Sequence, residues 1–371
     1  MSRKAYFGSA ALALLVLTGF SLPSLADDSA ASIAAGGLVA RRETRIVMAK
    51  EVLRISDKKV IVDYDFRNDS DQDVTTEVAF PIPPYENGTV LGPSPEEQSF
   101  QSFKLWIDGK SISYKSEATA TVDGKDVTSI LRANHIDIPT FGHWEDKTNA
   151  KGEEVIDTPD FSRLPTSTRD QLIKAGIFND SGSRWAVHLQ YHWTQTFPAH
   201  STVHIRHEYT PTVGWIALEG IGAEQVLLDA EKVPEEEARR KPRDPKNWWD
   251  VTSFCLGPSL AKNLATSFHQ QEINPSKEEG PGPRIPMHWV DFILTTANTW
   301  KQPIEDFTLI VERPAPLEDW KSLISFCSPE NGKVEKLDAD HFQVHLKNFI
   351  PTAELHIGFF DIPNAKPVAK K

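Results

Sequence analysis

Residues 184–215, RWAVHLQYHWTQTFPAHSTVHIRHEYTPTVGW, constrain the fold more than any other stretch of the chain. Val187, Leu189, Tyr191 and Trp193 alternate with His188, Gln190 and His192. Beyond Phe197-Pro198-Ala199-His200, Val203 and Ile205 alternate with His204, Arg206 and Glu208. Successive side chains of a strand point to opposite faces, so a period of two sorts apolar residues from polar ones. Two such runs around a proline-containing break predict a hairpin of half-buried strands. The same stretch carries the densest group of histidines in the chain.

Comparable runs lie on either side. Residues 59–66 and 74–80 flank a polar turn at 68–73, and 103–107 and 111–115 flank Asp108-Gly109. That dipeptide suits the left-handed positions of a tight hairpin turn. Upstream, 38–51 and 52–55 read as strands, and Asp27-Asp28-Ser29 as the cap of a short helix through Ala34, ended by Gly36-Gly37. The pattern changes between about 117 and 182. There 127–134 and 168–178 read as helices, the second capped by Ser167, with a polar loop at 142–164 between them. In 223–249, Glu235, Glu236 and Glu237 sit four residues before Arg239, Arg240 and Lys241, the spacing of a solvated helix and hence of a linker. Residues 251–255, 287–298, 307–312, 323–327, 341–347 and 353–360 then build a second β unit. The expected fold class is mainly β, with two β-sandwich-like domains. The first spans 27–222 and carries a helical insertion at about 117–182; the second spans 250–362 and ends in a loose tail at 363–371.

The first 26 residues read as an export signal: Arg3 and Lys4, the apolar run 10–17, Pro23 and the small-x-small site Ser24-Leu25-Ala26. The apolar run is well short of the roughly 20 residues that span a bilayer, and no later stretch is apolar enough to be a transmembrane segment. Cleavage after Ala26 removes two of the 40 basic residues and leaves 38 against 52 acidic ones, a net charge of −14. A balance that acidic excludes the basic footprint of a nucleic-acid binder. Cys255 and Cys327 are the only cysteines. Behind an export signal, a well-separated pair predicts one structural disulfide.

Four stretches carry a family resemblance. They are DDSAASIAAGG from Asp27, YDFRNDSDQDVTTEVAFPIP from Tyr64, FPAHSTVHIRHEYTPTVGW from Phe197 and NTWKQPIEDFTLIVERP from Asn298. Together they resemble a bacterial exported family known as domain of unknown function 4424, over nearly the whole mature chain. The resemblance implies a periplasmic, β-rich protein, and it brings no activity, cofactor or catalytic residue with it. The N-terminal half is also similar in pattern to the sandwich domain that precedes von Willebrand A modules in inter-alpha-trypsin inhibitor heavy chains. The shared pattern is an F-x-N strand end, a Phe-Pro-x-Pro exit and a proline turn leading into V-x-I-x-x-x-Y. It bears on fold alone.

Few constellations carry chemistry. On paired strands His188, His192 and His204 would share a face, where imidazoles can hold zinc and Glu208 can serve as a base. That is the pattern of a metal-dependent hydrolase; its competitor is the wet face of a sheet, and the competitor is the expectation. Asp69, Asp71 and Asp73 have calcium-loop spacing, but Val74 and Phe80 stand where glycine and glutamate are needed. Ser259 and Lys262 form S-x-x-K without its partner motifs, and Ser56 and Lys59 match it equally well. Trp248-Trp249 would suit a glycan platform or an anchor between domains. With no metal, cofactor or catalytic set expected, the chain reads as a binding module of the cell envelope rather than an enzyme. Its partner is an envelope protein or ligand, met through the 142–164 loop. The exported protein is expected to begin at Asp27, and N-terminal sequencing of periplasmic material checks this directly.

Overall fold

The computed structural model describes residues 29–34, 37–86, 102–141, 145–148, 151–152, 154–157, 161, 163–179, 182–219, 227, 232, 254–273, 282–315 and 320–364. The expected signal segment, most of the expected linker, Trp248, Trp249 and the end of the tail lie outside them.

Alternating polarity becomes strands almost throughout. β1 (Ser29–Ala34), β2 (Gly37–Ala40), β3 (Ile46–Ile55), β4 (Val60–Asn68), β5 (Val74–Pro81), β6 (Lys104–Ile107) and β7 (Lys115–Val122) come first. Helices α1 (Thr128–Ala133) and α2 (Thr166–Lys174) follow, then β8 (Ala186–Phe197), β9 (Ser201–Tyr209) and β10 (Val213–Glu219). Next is α3 (Pro258–Ile273), and then β11 (Arg284–Phe292), β12 (Ile304–Glu312), β13 (Trp320–Phe326), β14 (His341–Phe349) and β15 (Leu355–Pro363). A first sheet runs β7-β8-β5-β1-β2, a second β14-β12-β3-β4-β9-β6 and a third β10-β11-β15-β13, with two-residue strands extending the first two. The fold is mainly β, as the alternation predicts.

The first two sheets face each other. Val187, Leu189, Tyr191, Trp193 and Phe197 of β8 are buried, as are Val60, Val62, Tyr64 and Phe66 of β4. Phe103 stacks on Tyr191 at 4.1 Å, and Phe66 meets Phe197 edge-on at 5.8 Å. Each aromatic side chain removes a large apolar area from water, so this layer dominates the stabilising burial.

The central stretch is not a hairpin. β8 pairs with β5 and β7, and β9 pairs with β4 and β6, so the chain crosses from one sheet to the other at 198–200. Two strands that each carry a strong apolar face can lie side by side or face to face, and here they face each other across the core. The turn at 68–73 crosses in the same way, from β4 in the second sheet to β5 in the first. Asn68 is fully buried between the crossings, and its Nδ2 donates to the carbonyls of Gln72 at 2.8 Å and Phe197 at 2.9 Å. The backbone N–H of Ala199 donates to Asp73, and His200 bonds Asp71 at 2.8 Å. The acidic turn therefore ties two crossings together.

Other expectations are corrected. Residues 29–34 form a strand, not a helix, because β1 is drawn into register with β5 (Ser29 opposite Ala79) and with β2; pairing overrides the high helix propensity of alanine. β7 belongs to the first sheet although it lies inside the expected insertion. α2 starts at Thr166 after Pro165, with no side-chain cap from Ser167. The expected loop at 142–164 contains an antiparallel pair, Glu145–Thr148 with Glu154–Asp157. β11 ends at Phe292, before a 3₁₀ turn at Thr295–Thr299. Phe254 and Cys255 sit in a turn rather than a strand, and α3 is a helix where none is expected.

The sheets do not divide at the expected linker. β12 and β14, from the expected second domain, complete the second sheet, where β12 runs parallel to β3 with Leu309 opposite Leu53. β10, from the expected first domain, pairs with β11 in the third sheet. One buried cluster extends from Ile46 to Phe359. A second, containing Leu264 and Phe268 of α3 with Met287 and Trp289 of β11, lies on the other face of the third sheet. Trp289 lies flat against β10 at Gly214, where an added Cβ would stand 2.1 Å from the indole. Gly214→Ala is expected to cost about 1–3 kcal/mol through overpacking, seen as a lower denaturant midpoint.

Candidate functional site

The predicted histidines do not converge. His188 and His192 lie on the outer face of the first sheet, His204 on that of the second, with the whole core between them. His188 Nε2 meets the Thr121 hydroxyl at 2.9 Å, and His192 Nδ1 meets Glu77 at 2.6 Å. His204 Nδ1 lies 3.0 Å from Asp65. The shared face assumed a hairpin, and the crossing at 198–200 removes it. Glu208 is bridged by Lys59 at 3.2 Å and Lys104 at 3.4 Å. Burial raises its pKa, but the two ammonium groups outweigh burial and hold the carboxyl below its usual range. Among the described residues no three His, Cys, Asp or Glu side chains converge in a geometry that holds a metal.

His207 falls in the apolar phase of Val203, Ile205 and Tyr209, a signal readable in the sequence. It points into the sandwich, fully buried, with the rings of Phe80, Phe103, Trp193 and Tyr64 at 4.7, 5.3, 5.4 and 5.6 Å. Burial pushes its pKa down to about 3, so the ring is neutral. Its place is structural.

Cys255 and Cys327 are bonded, with Cα atoms 4.9 Å apart, as expected from the sequence. The bridge joins the entry to α3 with the end of β13. Beside it a cleft of about 270 Å³ opens toward the edge of the second sheet. One wall is Gly257, Ser259 and Leu260 at the start of α3; the second is Ile324, Ser325, Phe326 and Ser328; the third is Val334 and Phe342. The second wall is pinned, since Ser325 Oγ donates to the Phe254 carbonyl at 2.9 Å and Ser328 Oγ to Gly332 at 2.7 Å. Arg313 lies over the Phe342 ring at 5.6 Å. Ser259 of the S-x-x-K match lines this cleft, and Lys262 does not.

Four tryptophans, Trp185, Trp193, Trp289 and Trp300, are buried as packing residues. Trp215 is 45% exposed. Among the described residues no helix is long and apolar enough to cross a membrane.

A protein-family model, Domain of unknown function (DUF4424), matches residues 26–357. The chain belongs to that family. No curated protein matches it in sequence. Among solved structures it is similar to a proposed nutrient binding protein of Legionella pneumophila, with 14% identity, a TM-score of 0.37 and coverage of 91% of this chain and 70% of that one. It is also similar to native yeast LTA4 hydrolase, with 7% identity, a TM-score of 0.22 and coverage of 85% and 29%. At those scores neither neighbour bears on what this member of the family does.

His207 yields a pH prediction. In the unfolded chain it takes a proton near its ordinary value of 6.5, and in the fold only near 3. Between these values the unfolded state binds more protons, so stability contributed by the neutral ring is present above 6.5 and is lost as pH falls toward 3. His207→Phe is expected to flatten the acid limb of the stability profile by up to about 1.4 kcal/mol per pH unit, measured as denaturant midpoints across that range.

Proposed function

We propose that this protein is an exported, periplasmic binding module that holds a small ligand in the cleft beside the Cys255–Cys327 bridge and does no chemistry on it. The observation that carries the reading is the construction of the cleft. Three separate elements form its walls, Cys255 of the disulfide lines it, and the hydroxyls of Ser325 and Ser328 fix the wall at the end of β13. A site fixed before the ligand arrives loses little entropy on binding. Its volume, about 270 Å³, lies near the lower end of ligand pockets, which favours a small molecule. Leu260, Ile324, Phe326, Val334 and Phe342 are apolar, and Ser259 adds an exposed hydroxyl at the rim, so a small amphiphile fits best.

Export follows from the Arg3, Lys4 and Ser24-Leu25-Ala26 pattern, and the disulfide accords with an oxidising compartment. Ser259 is exposed, so Ser259→Trp can fill the cleft without disturbing the core. Thermal melts against a panel of small envelope amphiphiles are expected to show compounds that stabilise the wild type and leave Ser259→Trp unmoved. A wild type that none of them stabilises, or a variant stabilised equally, overturns the assignment.

A further inference from the structure

A second site lies at the seam between the third sheet and the turn joining β3 to β4. His288, on β11, stacks on Phe359 at 5.1 Å and stands between two carboxylates. Its Nδ1 lies 3.5 Å from Asp361 of β15, and its Nε2 lies 3.9 Å from Asp57 of the turn. The three side chains are 14%, 21% and 11% exposed, respectively. Among the described residues the cation paired at the cluster is Lys58, 3.3 Å from Asp57 and 86% exposed. Burial lowers the pKa of His288 against the opposing pull of Asp361 and Asp57, so the ring is neutral at neutral pH.

A neutral imidazole has one N–H and one lone pair. Both nitrogens of His288 face carboxylates, so in either tautomer a lone pair is turned toward a group that only accepts. Among the described residues Nε2 has no hydrogen-bond partner. Ser322 Oγ, in a residue 1% exposed, has none either. Ser322 lies directly across from Asp361, and Trp215 directly across from His288, so each shares a sheet face with its opposite number. Buried polar atoms left unmatched in this way call for a partner. The seam thus gathers acceptors around one missing positive donor, with Trp215, 45% exposed, on the strand alongside His288.

We propose that this seam binds an organic ammonium cation, whose N–H groups fill the acceptor set of Asp57, Asp361 and His288 and whose carbon stem lies on Trp215. Aromatic faces attract such cations, and carboxylates bind ammonium N–H groups strongly. A bare metal ion fits less well, since the described residues supply no three-ligand set here. The site is separate from the cleft beside the disulfide and does not depend on it.

Calorimetric titration of the full mature protein with putrescine at neutral pH tests the assignment. Binding is expected, weakened about tenfold or more by Trp215→Ala and by Asp57→Asn and unchanged by Ser259→Trp, with melting temperatures of the variants showing that each is folded. Absence of heat with putrescine, uptake of zinc in its place, or equal binding by folded Trp215→Ala overturns it. So does a His288 ring found by nitrogen-edited NMR to carry both protons at neutral pH, because the imidazolium would then itself supply the missing charge.

Discussion

The carboxamide of Asn68 holds together the two places where the chain passes between the sheets of the sandwich. It donates to the carbonyls of Gln72 and Phe197 and accepts from the backbone N–H and hydroxyl of Ser70, with no exposure to water. Both crossings leave backbone groups that no ladder satisfies, and a buried carbonyl without a donor costs about 1–3 kcal/mol. One side chain answers for both. Once the crossings are set, β4 and β9 belong to one sheet and β5 and β8 to the other. Their apolar faces then have nowhere to go but toward each other.

The outer faces of the two sheets differ. Across the second sheet runs a ladder of charges: Asp63 takes Arg54 at 2.8 Å and Arg206 at 3.1 Å, and Arg67 holds Glu305 at 2.8 Å. Exposed pairs of this kind contribute about 0–1 kcal/mol each, so the ladder marks a solvated face more than a source of stability. The first sheet instead shows hydroxyls and imidazoles, such as Thr75 with Thr196 at 2.8 Å and Thr194 on Glu77 at 2.9 Å. Polar groups on both faces are largely matched among themselves. Both candidate sites lie where the third sheet and α3 join the sandwich.

That junction is made by long-range pairing. The parallel contact of β12 with β3 brings the C-terminal part of the chain into the second sheet, and β10 carries the N-terminal part into the third. The aromatic layer then continues through Phe292 and Phe359 into the third sheet. A bridge between Cys255 and Cys327 steadies the rim of this assembly, because it ties the entry of α3 to a strand of the sheet that α3 covers.

Strand phase is a local property, and the sequence alone determined it well. Val187 to Phe197 and Val203 to Tyr209 point inward where their alternation places them, and His207 follows its apolar neighbours into the core. The tight turn at Asp108-Gly109, with both residues at positive φ, was equally legible, as was the single cysteine pair. Strand partners were not legible, because period-two polarity says which face is buried and nothing about which strand lies alongside. The same alternation serves a hairpin and a crossing between sheets, and only tertiary packing chose the crossing that separates His204 from His188 and His192. The disulfide cleft and the His288 seam were out of reach for a related reason. Asp57 meets His288, and Ser259 comes to line one cleft with Phe342, only after sheets have formed from distant parts of the chain, and no local pattern records proximity of that range.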